Sequence, residues 1–188
     1  MARPRVGNEE LIRKLADVFR TYGYEGASLN RISEATGLEK ASLYHRFPGG
    51  KDEMVAAVVA HLSQWFQDEV FTPLERTGQP AERVRLVAER LREFYGDGEK
   101  PCALNTLSLP GGSRALHEAL RGGLTAWLQA FTEIARASGA TVREARKRAE
   151  QAITEIQGSF VLARVLGDRS PFHRAIGRLP ELLSGGPR

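Results

Sequence analysis

The residues most able to do chemistry in this 188-residue chain gather between positions 28 and 51. Lys40, Ala41, Ser42, Tyr44 and His45 lie almost side by side, with Ser28 before them and Lys51 after. Ammonium groups and helix starts neutralise phosphate, and small or hydrogen-bonding side chains at a helix start allow close approach to base edges. That set suits a polyanionic partner better than a bond-breaking step. Serines, histidines and acids occur throughout, but no nucleophile motif, metal pair or phosphate loop groups them, so no enzyme activity, catalytic residue or cofactor is expected. His61 and His117 read as helix-surface residues. Four scattered histidines and one cysteine, Cys102, give no zinc spacing and no intramolecular disulfide; no metal is expected, and a reducing, cytoplasmic setting fits.

Two short helices must hold these side chains. Ser28 suits the N-cap of a helix carrying Leu29, Ile32 and Ala35, and Gly37 breaks it. A second helix, about 39–46, carries Ala41, Leu43 and Tyr44. Ile32, Ala35, Leu38 and Leu43 are expected to pack the pair, which makes a helix-turn-helix. A helix over 8–22 precedes it, with Leu11, Leu15, Val18 and Tyr22 at spacings of three and four, and Gly23 ends it. Pro48-Gly49-Gly50 opens a long helix with Asp52 and Glu53 in its first turn, where the dipole favours acids. Beyond it the helical period recurs, with a bend expected at Thr72-Pro73, a boundary at Gly78 and Pro80, and an irregular stretch over 101–112. Ser113 is expected to cap one later helix, and Thr141 with Glu144 fits a capping box at another. No β-alternation of any length appears. The fold class is all-α.

From Ser28 to Phe47, followed by GGKDEM, the sequence resembles the DNA-binding domain of the TetR family of bacterial transcriptional regulators. The family pattern runs Thr/Ser, Ile-Ala, Ala-Gly-Val-Ser, Tyr and Phe, then Lys, two acids and Leu, and the likeness covers about residues 8–66. Ser33 replaces the usual Ala, and Glu39 stands where Ser is frequent. CALNTLSL and FPGGK resemble a subgroup with multidrug-responsive members. The resemblance implies that Ser28 caps its helix and touches phosphate, and that Lys40, Ala41 and Ser42 face the major groove. Tyr44 and His45 would contact the backbone or a base edge, and Lys51 phosphate. It further implies double-stranded operator DNA as partner, repression more than activation, and about nine helices. An N-terminal helix-turn-helix domain, 1–51, would be joined by a long helix to a helical ligand-binding and dimerisation domain, 52–188.

In that second domain an apolar or amphipathic effector is expected among Trp65, Phe66, Phe94 and Cys102, with Trp127, Phe131 and Phe160. Asn105 would supply a polar handle. The last two helices suit a homodimer interface through Ile153, Ile156, Phe160, Val161, Phe172, Ile176 and Leu179, near the small Ala149, Ala152 and Gly158. The basic run Arg143, Arg146, Lys147 and Arg148 reads as a solvated face.

Composition agrees with a globular chain: 41% hydrophobic, 27% charged and net charge +4. Residues 1–51 hold nine Lys/Arg against six acids, an excess that suits phosphate. No segment has the length and apolarity of a signal peptide or membrane span, so no membrane partner is expected. The alternative is a helix-turn-helix scaffold that binds protein instead of DNA.

Overall fold

The structure, a computed structural model, describes residues 7–185, and Arg3 and Arg5 of the basic excess lie outside them. It is all-α, with no strand among the described residues. The helices are α1 (Asn8–Gly26), α2 (Leu29–Thr36), α3 (Lys40–Arg46), α4 (Gly50–Phe66), α5 (Thr72–Glu75) and α6 (Pro80–Phe94). Then come α7 (Ala103–Leu107), α8 (Arg114–Ala137), α9 (Val142–Leu166), α10 (Ser170–Gly177) and α11 (Leu179–Ser184). A π turn, Gln67–Phe71, runs α4 into α5, and Arg178 alone separates α10 from α11; with each of these pairs counted as one, the described residues form nine helices.

The π turn revises one expectation. Thr72-Pro73 does not bend the chain out of the helix: both flanks stay helical, with Thr72 at φ −56°, ψ −45°. Proline lacks an N–H and crowds the preceding turn, and a wider turn just upstream relieves both.

The chain folds into two compact units. The first contains the residues through Ser63 together with Ala103–Arg121; the second contains Gln64–Cys102 and the residues from Gly122 onward. The first unit therefore extends past residue 51 and takes in a segment from the middle of the chain. Its core holds Leu11, Leu15 and Phe19 of α1, Ile32 of α2, Leu43 of α3, Met54 and Val58 of α4 and Leu107 of α7, all fully buried. The helix α7 lies on α1, and the Thr106 hydroxyl donates to the Phe19 carbonyl at 3.4 Å. At Gly23 the helix α1 kinks (φ 66°, ψ −174°), a conformation open essentially to glycine alone. A β-carbon there would also sit 3.0 Å from the Thr106 carbonyl oxygen. Ala35, expected in the α2–α3 contact, is exposed, and Thr36 is buried in its place. Thr36 lies one helical turn after Ile32 on the same face, and its hydroxyl donates to the Ile32 carbonyl at 2.7 Å, which removes the penalty of burial.

In the second unit α10 packs on α9, and α11 on α6 and α9. This packing corrects the expected dimer residues. Ile156, Phe172, Ile176 and Leu179 are at most 1% exposed, and Ile153 and Phe160 only 6%. Phe160 of α9 meets Phe172 of α10 at 5.1 Å within the same chain, and Ala149 and Ala152 are fully buried too. Of the expected set only Val161 is exposed.

Leu43 is the one side chain of α3 that enters the core. Replacing it with Ala should lower stability by about 2–5 kcal/mol, because the cavity adds to the lost transfer energy. Chemical denaturation measures this, and a loss near zero would show that α3 is anchored elsewhere.

Candidate nucleic-acid interface

The α2–α3 turn is built from side chains that close on its backbone. Ser28 caps α2, its hydroxyl accepting from the Arg31 N–H at 3.3 Å. Gly37 ends α2 in the left-handed region at φ 71°. The Thr36 hydroxyl accepts from the Leu38 N–H at 3.3 Å, and the Ser33 hydroxyl donates to the Leu38 carbonyl at 2.6 Å. Ser33, which departs from the family pattern, thus helps fix the turn. The next helix is seven residues long and presents Lys40, Ala41, Ser42, Tyr44 and His45 to solvent. Its N-cap residue, Glu39, makes no side-chain capping bond. Tyr44 is 47% exposed, and a β-carbon on Gly50 would come within 3.5 Å of its ring.

Lys51 is half-buried at the start of α4. Its ammonium donates to the Tyr24 carbonyl at 3.0 Å and lies 4.1 Å from the centre of the Tyr24 ring. The Tyr24 hydroxyl donates to Asp52 Oδ1 at 2.7 Å. Partial burial, then the Asp52 bond and charge, push the Tyr24 phenol up to about 12. It therefore stays a protonated donor throughout the neutral range. Arg31 donates to the Gly26 carbonyl at 2.8 Å and sits 4.6 Å over the Tyr22 ring. The pairings of Tyr24 with Asp52 and of Tyr22 with Arg31 escaped the sequence reading. They join residues of different helices, and local spacing carries no sign of them.

In the second unit Trp65 stacks on Phe94 at 3.9 Å, and Phe66 lies 5.2 Å from Trp127. Trp127 meets Phe131 at 5.8 Å, and Phe160 meets Tyr95 edge-on at 4.7 Å. Trp65, Phe66 and Phe94 are half-buried, whereas Trp127 and Phe131 are buried. The indole N–H of Trp127 has no hydrogen-bond partner among the described residues. Cys102 is buried, its sulfur 3.4 Å from the Tyr95 hydroxyl and 3.6 Å from the Gln157 amide nitrogen. Asn105, expected beside these rings, belongs to α7 of the first unit. Among the described residues no group of three His, Cys, Asp or Glu side chains could hold a metal ion.

The C-terminal half of α9 exposes Val161, Leu162, Val165 and Leu166, which fall three and four positions apart on one face. Val165 is 74% exposed. So broad an apolar stripe is unusual on a free helix surface. No helix among the described residues is long and apolar enough to cross a membrane.

The model for "Bacterial regulatory proteins, tetR family" matches residues 11–58, which include every residue of α2 and α3. The model for "Transcriptional regulator LmrA/YxaF-like, C-terminal domain" matches residues 80–177, just over half of the chain. The HTH-type transcriptional regulator LmrA of Bacillus subtilis is 24% identical over 179 residues, covering 93% of this chain and 95% of LmrA. Among solved structures, a TetR transcriptional regulator from Legionella pneumophila shares the fold with a TM-score of 0.80 at 17% identity. The match covers 96% of this chain and all of that one. A cysteine mutant of the TetR-family regulator CifR, complexed with 26-bp double-strand operator DNA, matches with a TM-score of 0.73 at 23% identity, over 99% of this chain and 100% of CifR. The helix-turn-helix at the front of the chain and the LmrA/YxaF-like helices behind it lead to one conclusion: the chain belongs to the TetR family of bacterial transcriptional regulators.

Proposed function

We propose that this regulator represses transcription by binding operator DNA as a homodimer, and that a small apolar or amphipathic effector in the second unit weakens that binding. The observation that carries the DNA reading is the exposure of the front of α3. Leu43 alone is buried there, and Lys40, Ala41, Ser42, Tyr44 and His45 all face solvent. In this reading Lys40, Ala41 and Ser42 enter the major groove, while Tyr44 and His45 meet a base edge or the backbone. Ser28, at the start of α2, and Lys51, at the start of α4, contact phosphate, which sets register without reading sequence. Arg31 sits within three residues of Ser28 and adds a further cation to that edge. CifR binds operator DNA in a complex of the same fold, in keeping with this use of the front helices.

The homodimer is assigned to the exposed α9 stripe of Val161, Leu162, Val165 and Leu166 in place of the residues the chain buries for itself. Two such faces from symmetry-related copies would cover each other. Two recognition helices would then enter successive major grooves, about 34–36 Å apart. The effector reading draws on the aromatic cluster and on the buried Trp127 N–H. A buried donor without an acceptor is rare, and a ligand oxygen or nitrogen would satisfy it. An effector shifts the equilibrium only by its differential affinity for two conformers. The relatives are transcriptional regulators, and in this reading the chain, like them, acts by binding. Its place of action is the cytoplasm, where the operator lies.

Gel shifts against genomic fragments test the reading: retardation that survives nonspecific competitor supports it, and none even at low salt rejects it in favour of a protein-binding scaffold. Replacing Lys51 with Ala should weaken binding to all sequences and flatten the slope of log affinity against log salt by about one per half-site. Val165→Asp should shift the protein towards monomer in sedimentation and abolish binding to a two-half-site duplex, since it puts a charge in an apolar contact. Trp127→Phe keeps the packing and removes the N–H. It should leave operator affinity unchanged and weaken effector release by about 3- to 10-fold, as the loss of one buried hydrogen bond predicts.

A further inference from the structure

The proposed DNA face leaves one arrangement without a role. Tyr24, in the last turn of α1, makes three separate contacts with the residues around Lys51. Its carbonyl oxygen takes the Lys51 ammonium at 3.0 Å, and its ring lies 4.1 Å from the same nitrogen. Its hydroxyl donates to Asp52, the very next residue, at 2.7 Å. We propose that Tyr24 is a positioning residue for DNA binding, holding the Lys51 ammonium in place for a phosphate oxygen and the Asp52 carboxylate away from it. The inference rests on the reading of Lys51 as a phosphate contact.

The chemistry favours this role on each side of the ring. The Tyr24 carbonyl lies just beyond the Gly23 kink, where the regular helical ladder is interrupted, and it accepts from the Lys51 ammonium instead. An ammonium has three donors, and the Tyr24 carbonyl uses one, which leaves two for phosphate. Lysine rides on a flexible four-carbon stem, and ordering that stem at the moment of binding lowers affinity. A stem already ordered by Tyr24 avoids most of that loss. Asp52 is the nearest acid in sequence, but adjacent helix positions point apart, and the Tyr24 hydroxyl gives its carboxylate a different partner. Among the described residues Lys51 pairs with no carboxylate.

The ring itself is confined. A β-carbon on Gly112 would lie 3.4 Å from Tyr24 Cγ and Cδ2, so the turn before α8 rests against the ring. A β-carbon on Gly111 would fall 2.7 Å from the Glu25 carboxylate, which keeps the same turn close to the neighbouring residue. Tyr24 therefore cannot swing towards that turn without displacing it.

The test is a double-mutant cycle on a duplex enriched by the wild-type protein from a randomised library, read by fluorescence anisotropy over a KCl series. Tyr24→Leu removes ring and hydroxyl, and should weaken binding about 3- to 10-fold per half-site in the wild-type background. In a Lys51→Ala background the same change should weaken it less than about twofold, because a residue that acts through Lys51 has nothing left to position. Equal losses in both backgrounds would mean a general structural role and overturn the inference. If Lys51→Ala alone leaves affinity and salt slope unchanged, the phosphate reading of Lys51 fails, and the inference falls with it; an unaffected gel shift would still leave operator binding standing. Should Tyr24→Leu not fold, Tyr24→Phe completes the cycle. It keeps ring and carbonyl, frees Asp52, and should give a smaller loss that again disappears without Lys51.

Discussion

A helix that leaves most of its surface exposed has little left with which to hold itself down. The helix α3 is an extreme case, with Leu43 as its single buried side chain. Its orientation depends on the turn before it and the turn after it. Before it, Thr36, Gly37 and Ser33 close the chain by side-chain and left-handed backbone geometry. After it, Phe47 enters the core and Gly50, at φ 67°, lets α4 start beside the Tyr44 ring. The fixed turns supply the rigidity that a larger apolar face would give an ordinary helix.

The same economy governs α1. Its core-facing residues Leu11, Leu15 and Phe19 are conventional, but beyond them Gly23 turns the backbone and delivers Tyr24 to the start of α4. The Thr106 carbonyl occupies the space that a side chain on Gly23 would need. One glycine thus accommodates both a kink and a close approach of α7. The residues that follow it, Tyr24 to Ser28, then connect α4, the turn before α8 and the capped start of α2.

Much of this was legible in the sequence. Apolar spacing placed the helices, and Ser28, Ser113 and Thr141 cap theirs as their types suggest. The capping box is half made: Thr141 accepts from the Glu144 N–H, while the Glu144 carboxylate takes Arg148. Misreadings arose where polarity or periodicity was ambiguous. Thr36 is buried because a hydroxyl can bond its own helix, and Ala35 is small enough to sit on either face. The apolar residues of α9 and α10 look alike whether they meet a second chain or their own, and only the packing of α10 and α11 onto α9 and α6 separates the two. The contacts of Tyr24 bridge residues 27 and 28 positions apart, beyond any periodic signal.

The first unit is not a continuous stretch of sequence. Leu107 and Leu116, fully or almost fully buried in it, arrive only after the chain has already entered the second unit and returned. A fragment cut after Ser63 would carry every residue of α3 yet lose α7, which packs on α1 and whose Thr106 meets the Phe19 carbonyl and the Gly23 backbone. The first unit is therefore no cassette bounded by a single cut in the sequence; a chimera that kept its core whole would have to carry residues 103–121 along with it.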